Sequence, residues 1–260
     1  LTRIQPRPYQ WESFVMACMV TSSTSNNPSN SILYLPTGAG KTLVGALMCA
    51  AYKRLNPDRM VLFLTDRVPL VFQQARYVEE QTGLACLAVA GDVQLDLPVH
   101  ELLRYDVLAC TVQLWINLLL KGRGEGLLHN FSCVIIDEVH HATRSHPFVV
   151  FMESFWHPFR AQTGWAPRIL GLTASPASGN PLEMKIQLER LEQLIDGRVC
   201  TPLLYRQELA EATNRPDLKF ITVPPFTAQQ TAFMDEKMAQ LRRVLGEALA
   251  VQVPANVSFQ

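Results

Sequence analysis

The chain is 260 residues long and 48% hydrophobic, with 23 lysines plus arginines against 23 aspartates plus glutamates. That length supports one substantial core with a small appendage, and the even charge balance excludes an overall basic field, so any nucleic-acid function has to rest on local motifs. Six scattered cysteines (Cys18, Cys49, Cys86, Cys110, Cys133 and Cys200) with no CxxC pair argue against a disulfide framework or a cysteine zinc site and read as reduced core thiols.

Residues 1–10 hold Arg3, Arg7 and two prolines where a secretory signal would be apolar, and no run reaches the roughly 18 apolar residues of a membrane span. The expectation is a soluble intracellular chain, cytoplasmic with the nucleus as alternative. A helix is predicted over 11–20, with Trp11 and Phe14 on its core side. Residues 21–31, mostly serine, threonine and asparagine, predict an exposed loop.

Apolar runs rich in valine, isoleucine and leucine follow at 31–35, 60–65, 84–90, 105–110, 133–137 and 168–173. They do not alternate with polar residues, which is the pattern of strands covered on both faces. Helical stretches at 41–55, 68–81 and 112–120 lie between them. This alternation predicts an α/β fold, a parallel sheet sandwiched by helices through right-handed crossovers. Past residue 176 the rhythm changes, predicting an amphipathic helix over 182–195, a strand over 218–223, and a long helix over 227–251 capped by Thr227.

Two motifs carry chemistry. Leu35-Pro36-Thr37-Gly38-Ala39-Gly40-Lys41-Thr42 stands directly after a predicted strand and before a predicted helix, the context of a phosphate loop. Gly38 and Gly40 let the backbone curl, so that N–H groups from Thr37 through Ala39 onward face phosphate oxygens at a helix N-terminus. Lys41 would neutralise β- and γ-phosphate charge, and the Thr42 hydroxyl would ligate Mg²⁺. The first glycine of the general Walker A pattern is Leu35 here. The second motif, Val134-Ile135-Ile136-Asp137-Glu138-Val139-His140-His141, is an apolar strand ending in two carboxylates at the same sheet edge. Asp137 can hold Mg²⁺, and Glu138 can orient and deprotonate water attacking the γ-phosphate. An ordinary strand cap is the alternative. His129, His140, His141, His146 and His157 lack the spacing of a tetrahedral zinc site.

In order, R-P-Y-Q, L-P-T-G-A-G-K-T, D-R-V-P-L-V-F-Q-Q, T-V-Q, D-E-V-H-H-A and L-T-A-S-P resemble superfamily 2 helicases of the branch holding Dicer helicase domains, RIG-I-like receptors and Hef/FANCM DNA translocases. The resemblance covers about residues 7–176 and implies a RecA-like, ATP-binding amino-terminal lobe using ATP and Mg²⁺ on double-stranded RNA. A DNA translocase, or a regulatory lobe that binds nucleotide without hydrolysis, is the alternative. Within the resemblance, Gln10 stands where a glutamine amide reads adenine, the alternative being an exposed polar residue at a helix start. Thr173 and Ser175 stand in a motif whose hydroxyls link the nucleotide site to a second lobe, and His140 in a DExH box that bridges hydrolysis and that interlobe contact. Arg67, Gln73, Thr111 and Gln113 stand in loops that hold backbone phosphates, solvated loop residues being the alternative.

Residues 188–201 are similar to a Dicer segment in which a short helix leads to a closing strand. The implied organisation is a RecA-like domain over 1–200, a connecting strand segment over 201–226, and the start of a helical insertion over 227–260. No Q-x-x-G-R-x-x-R segment supplying arginine fingers is present. A second RecA-like lobe of the same parent is therefore an expected partner, without which this chain is expected to bind ATP weakly and hydrolyse it poorly.

Overall fold

The structure is a computed structural model that describes residues 2–19, 30–91, 99–143, 145–175, 177 and 180–213. Residues 21–29 of the serine- and asparagine-rich stretch, the strand predicted at 218–223 and the helix predicted at 227–251 lie outside these residues; Asn30 and Ser31, expected in the exposed loop, are instead buried in a strand.

The strands are β1 (Asn30–Tyr34), β2 (Met60–Thr65), β3 (Cys86–Val89), β4 (Val107–Thr111), β5 (Phe131–Ile136), β6 (Arg168–Thr173) and β7 (Gly197–Cys200). All neighbours pair parallel, in the order β3-β4-β2-β5-β6-β1-β7. Successive side chains of each strand enter opposite cores. Leu62, Leu64, Val134 and Ile136 face one apolar layer, while Val61, Phe63, Cys133 and Ile135 face the other. Two-sided burial of this kind is why the strands read as unbroken apolar runs.

One layer holds α1 (Pro8–Met19), α2 (Lys41–Leu55), α3 (Val68–Thr82) and α10 (Arg206–Ala212), which supply Phe14, Leu47, Val71 and Leu209. The other holds α5 (Val112–Leu118), α7 (Pro147–Phe151), α8 (His157–Thr163) and α9 (Pro181–Ile195), which supply Trp115, Phe148, Phe159 and Leu191. Among the described residues there are also two short helices, α4 (Val99–Leu102) and α6 (Gly124–Leu128). This is the α/β, RecA-like sandwich that the sequence predicts.

Sequence periodicity did not reveal the run from α7 to α8. Two prolines and five aromatic residues dilute its helical pattern between 147 and 163. Pro158 sits in the first turn of α8, directly after a π-helical turn at Met152–Trp156. The wide turn accommodates a residue that has no N–H to donate and whose ring crowds the preceding turn.

Polar ties fix the layers. Asn30 is buried, donating to the Ile195 carbonyl at 2.6 Å and accepting from the Ile169 N–H at 2.8 Å, so one side chain joins β1, β6 and the end of α9. The buried Arg168 guanidinium donates to the carbonyls of Ala17 and, at 2.9 Å, Cys18, satisfying acceptors in the last turn of α1 that have no partner within the helix. All six cysteines are free; Cys18 and Cys86 are half-buried and the other four buried. Burial holds the Cys133 and Cys200 thiols at about 12, with Arg168 pulling the other way, so they remain protonated.

Trp11 departs from its expected core place, standing 48% exposed with its ring 5.3 Å from that of Phe14. The inward stripe of α1 is Tyr9, Ser13 and Ala17, with Gln10 and Phe14 beside it. At 100° per residue, Trp11 is turned about 200° from Tyr9 and covers Phe14 from outside.

Candidate active site

The carboxyl edge of a parallel sheet brings together the loops that leave its strands. Thr65 pairs with Thr111, Leu64 with Ile136, Ile136 with Gly171, and Tyr34 with Thr173. The segments after β4, β2, β5, β6 and β1 therefore emerge side by side.

The loop after β1 turns on Gly38 (φ +82°) and Gly40 (φ +78°), left-handed values at which a side chain is disfavoured. Gly40 is the N-cap of α2 and offers no side-chain bond to the helix, which leaves the first N–H groups of α2 available to an anion. A Cβ at Gly40 would also collide with the Gln10 amide. Thr37 and Gly38 are exposed, Ala39 is buried, and Lys41 and Thr42 are half-buried. Among the described residues the Lys41 ammonium makes no hydrogen bond or ion pair.

Gln10 is only 7% exposed, so the surface alternative does not hold. Its Nε2 donates to the Ala39 carbonyl at 2.9 Å and its Oε1 accepts from the Arg7 N–H at 2.9 Å. The Tyr9 hydroxyl donates to the same Ala39 carbonyl at 3.0 Å. The start of α1 thus braces the glycine loop from beneath.

Asp137, one residue beyond β5, is 7% exposed. Its N–H donates to the Leu64 carbonyl at 2.9 Å, its Oδ1 accepts from the Glu138 N–H at 3.1 Å, and its Oδ2 accepts from Gln74 Nε2 at 2.9 Å. Burial and the neighbouring Glu138 charge push its carboxyl up to about 6, opposed by the Lys41 charge and the two hydrogen bonds. Lys41 also acts on His140, so the cation of the loop and the acidic strand end share one electrostatic environment.

Glu138 takes the left-handed conformation (φ +48°, ψ +47°), a strained backbone for a non-glycine residue. Its Oε2 is buried without a hydrogen-bond partner and lies 3.3 Å from His140 Nδ1. The chain then closes a 3₁₀ turn at Val139–His141. That turn lies tight on β6, where a Cβ at Gly171 would stand 2.8 Å from Val139. His140 Nδ1 is 3.0 Å from Thr173 Oγ1, which accepts from the Ser175 N–H at 3.1 Å. Burial, together with the His141 and Lys41 charges, lowers the His140 pKa against the pull of Glu138 and Asp66. A neutral imidazole follows, bonding Thr173 in either tautomer.

The expected phosphate-holding residues divide. Arg67 and Gln73 are exposed at the start of α3; Gln113 is exposed on α5 and donates to Asn117 at 3.1 Å. Thr111 is buried, and its hydroxyl caps α5 by accepting from the Leu114 N–H at 3.4 Å. Its oxygen is thus committed to a helix end that would otherwise leave donors unsatisfied. Gln74 was missed, although the sequence held its signal: it falls on the inward stripe of α3 with Val71, Ala75 and Val78, where a polar side chain needs a buried partner. That partner is Asp137.

Among the described residues, no three histidine, cysteine, aspartate or glutamate side chains are grouped to hold a metal ion, and no helix is long and apolar enough to cross a membrane.

Residues 3–178 match the family model described as type III restriction enzyme, res subunit. The chain is 32% identical to Endoribonuclease Dicer homolog 1 of Arabidopsis thaliana over 72% of its own length and 10% of the relative's. It is 28% identical to Protein Dicer of Schizosaccharomyces pombe, over 75% of the chain and 16% of the relative. It is 33% identical to Dicer-like protein 2 of Aspergillus fumigatus, over 85% of the chain and 16% of the relative. It therefore spans about a tenth to a sixth of these relatives. With the seven-stranded parallel sheet and the ordered motifs, these matches show that the chain belongs to the ResIII helicase family of superfamily 2, as an amino-terminal RecA-like lobe of the Dicer-like branch.

Proposed function

We propose that the chain is the ATP-binding lobe of a nucleic-acid-dependent ATPase acting on double-stranded RNA, completed by a second RecA-like lobe. The observation that carries this reading is the shared sheet edge, where the left-handed glycine turn at 38–40 and the start of α2 leave the same side of the sheet as the buried Asp137 beyond β5. A buried carboxyl so placed is poised for a cation, and the residues present fit Mg²⁺ with a nucleotide. One carboxylate and the Thr42 hydroxyl are a protein ligand set of the size Mg²⁺ takes when phosphates and water fill the remaining positions.

In this reading the N–H groups around Thr37, Gly38, Ala39 and Gly40 cradle the phosphates, and Lys41 neutralises their charge. Gln10 keeps one N–H and one lone pair beyond its two internal bonds, the donor and acceptor an adenine edge requires. Bound Mg²⁺ supplies charge neutralisation at the phosphates. The Glu138 carboxylate takes the proton of the water that attacks the γ-phosphorus, while the bond to the β-phosphate oxygen breaks and ADP leaves. His140, held on Thr173 and through it on Ser175, ties Glu138 to the surface that meets the second lobe. Arg67, Gln73 and Gln113 hold backbone phosphates without reading sequence. RNA is favoured because a relative that this chain matches is named an endoribonuclease; a cytoplasmic or nuclear location follows from that substrate.

Lys41→Ala in the full-length protein is expected to abolish RNA-stimulated ATP hydrolysis. Undiminished turnover would remove that lysine from the mechanism, and stimulation by forked DNA in place of duplex RNA would reassign the substrate.

A further inference from the structure

The turn that carries the catalytic glutamate is tied to the start of α3 by a contact that does not reach the reacting atoms. Asp66 Oδ2 lies 3.0 Å from His141 Nδ1 and 3.6 Å from Arg67 Nε. One carboxylate oxygen therefore serves two partners of different exposure. The Arg67 side chain is 73% exposed, against 37% for His141 and 14% for Asp66. Asp66 leaves the end of β2, and Arg67 is the N-cap residue of α3. His141 closes the 3₁₀ turn that begins at Glu138, its N–H bonded to the Glu138 carbonyl at 3.0 Å. The same α3 reaches the other side of Glu138 through Gln74 and Asp137.

We propose that Asp66 and His141 are a positioning pair that carries engagement of a nucleic-acid backbone at Arg67 to the turn holding Glu138, an inference that rests on the function proposed above. Neither residue touches the reacting atoms. A phosphate that draws the Arg67 guanidinium outward removes one of the two claims on Asp66 Oδ2. The carboxylate then accepts from the His141 Nδ1–H tautomer alone, and a charged acceptor with a single donor makes the stronger bond. The turn is thereby held on β2, and Glu138 stays in a left-handed conformation that its own backbone disfavours. Without the phosphate, Arg67 shares the oxygen and the hold on the turn is weaker. The coupling is local, running over four residues through one ion pair and two hydrogen bonds, and needs no movement of the sheet.

The test uses the full-length protein as wild type, Asp66→Ala, His141→Ala, their double variant and His141→Asn, whose Nδ2 can donate from nearly the same place as Nδ1. ATP hydrolysis is measured with and without a blunt duplex RNA, alongside binding of a fluorescent ATP analogue and thermal melting. Each alanine variant is expected to cut the fold-stimulation by RNA about tenfold. The RNA-free rate and analogue affinity should stay within about twofold of wild type, a difference too small to signal loss of a catalytic contact. The double variant should be no worse than either single one, and His141→Asn should keep most of the stimulation. Wild-type stimulation in the single variants overturns the pair. So do losses that multiply in the double variant, and losses that merely follow a lower melting temperature and RNA-free rate. A wild-type protein that RNA fails to stimulate overturns the parent reading itself and this pair with it.

Discussion

Gln74 sits on an inward helical stripe and spends its amide N–H on Asp137, leaving its buried Oε1 without a partner. Orienting partners of this kind typically alter metal affinity by about 10–100-fold when removed. Gln74→Leu keeps the volume and deletes the bond. It is expected to raise the Mg²⁺ concentration needed for ATP-analogue binding about tenfold, and to lower the melting temperature of the metal-free protein modestly, since the buried Asp137 Oδ2 loses its donor while an unpaired oxygen is removed. A Mg²⁺ titration that superimposes on wild type would leave Gln74 as packing alone. Glu138 shows the complementary feature, a buried acceptor on a strained backbone, and its strain is borne by the contacts of the turn that follows it.

Among elements, α1 works on two sides: its first turn supports the glycine loop and its outer face clamps the segment leading into α10. Glu12 accepts from the N–H groups of Leu203 and Leu204, each at 2.8 Å, and of Tyr205 at 3.1 Å. Desolvation raises the Glu12 pKa, but these three donors outweigh it and set the carboxyl below its ordinary 4.5. A depressed carboxyl stabilises the fold above its ordinary pKa, and that contribution is lost as pH falls through the lower folded value. Glu12→Gln is therefore expected to destabilise the protein by about 1 kcal/mol near neutrality, hydrogen bonds to a charged but partly exposed group being worth this order. The gap from wild type should close as denaturation is followed below pH 4.5. A gap independent of pH would show that the carboxylate charge has no part in the clamp.

For the whole molecule, one sheet edge gathers the phosphate loop, the acidic pair, Thr173 and the start of α3, and everything on that edge belongs to one lobe. The 260 residues contain no Q-x-x-G-R-x-x-R motif, the pattern expected to supply arginine fingers, groups worth roughly 10³–10⁵ in rate to phosphoryl transfer. The isolated chain is accordingly expected to bind Mg²⁺ with an ATP analogue yet turn over at least about 10³-fold more slowly than the full-length protein with RNA. Comparable rates in single-turnover assays would mean that this lobe needs no partner for its chemistry.

What the sequence determined by itself was the sandwich and the chemical vocabulary of its edge. Two-sided burial writes itself as unbroken apolar runs, so β2 and β6 were legible residue for residue, and the glycine spacing of 38–42 and the acidic strand end were legible because phosphate and cation chemistry demand those residue types locally. What only the tertiary structure decided were the pairings between distant segments: Gln74 with Asp137, Asp66 with His141, Gln10 beneath Ala39 and Glu12 around 203–205. The run from α7 to α8 was hidden by prolines that a wide turn accommodates, and Trp11 was misplaced because hydrophobicity names a core residue only together with its angle on the helix. Local pattern follows from the backbone's own periodicity, whereas a contact between residues 63 or 75 positions apart exists only once the sheet has set its strand order.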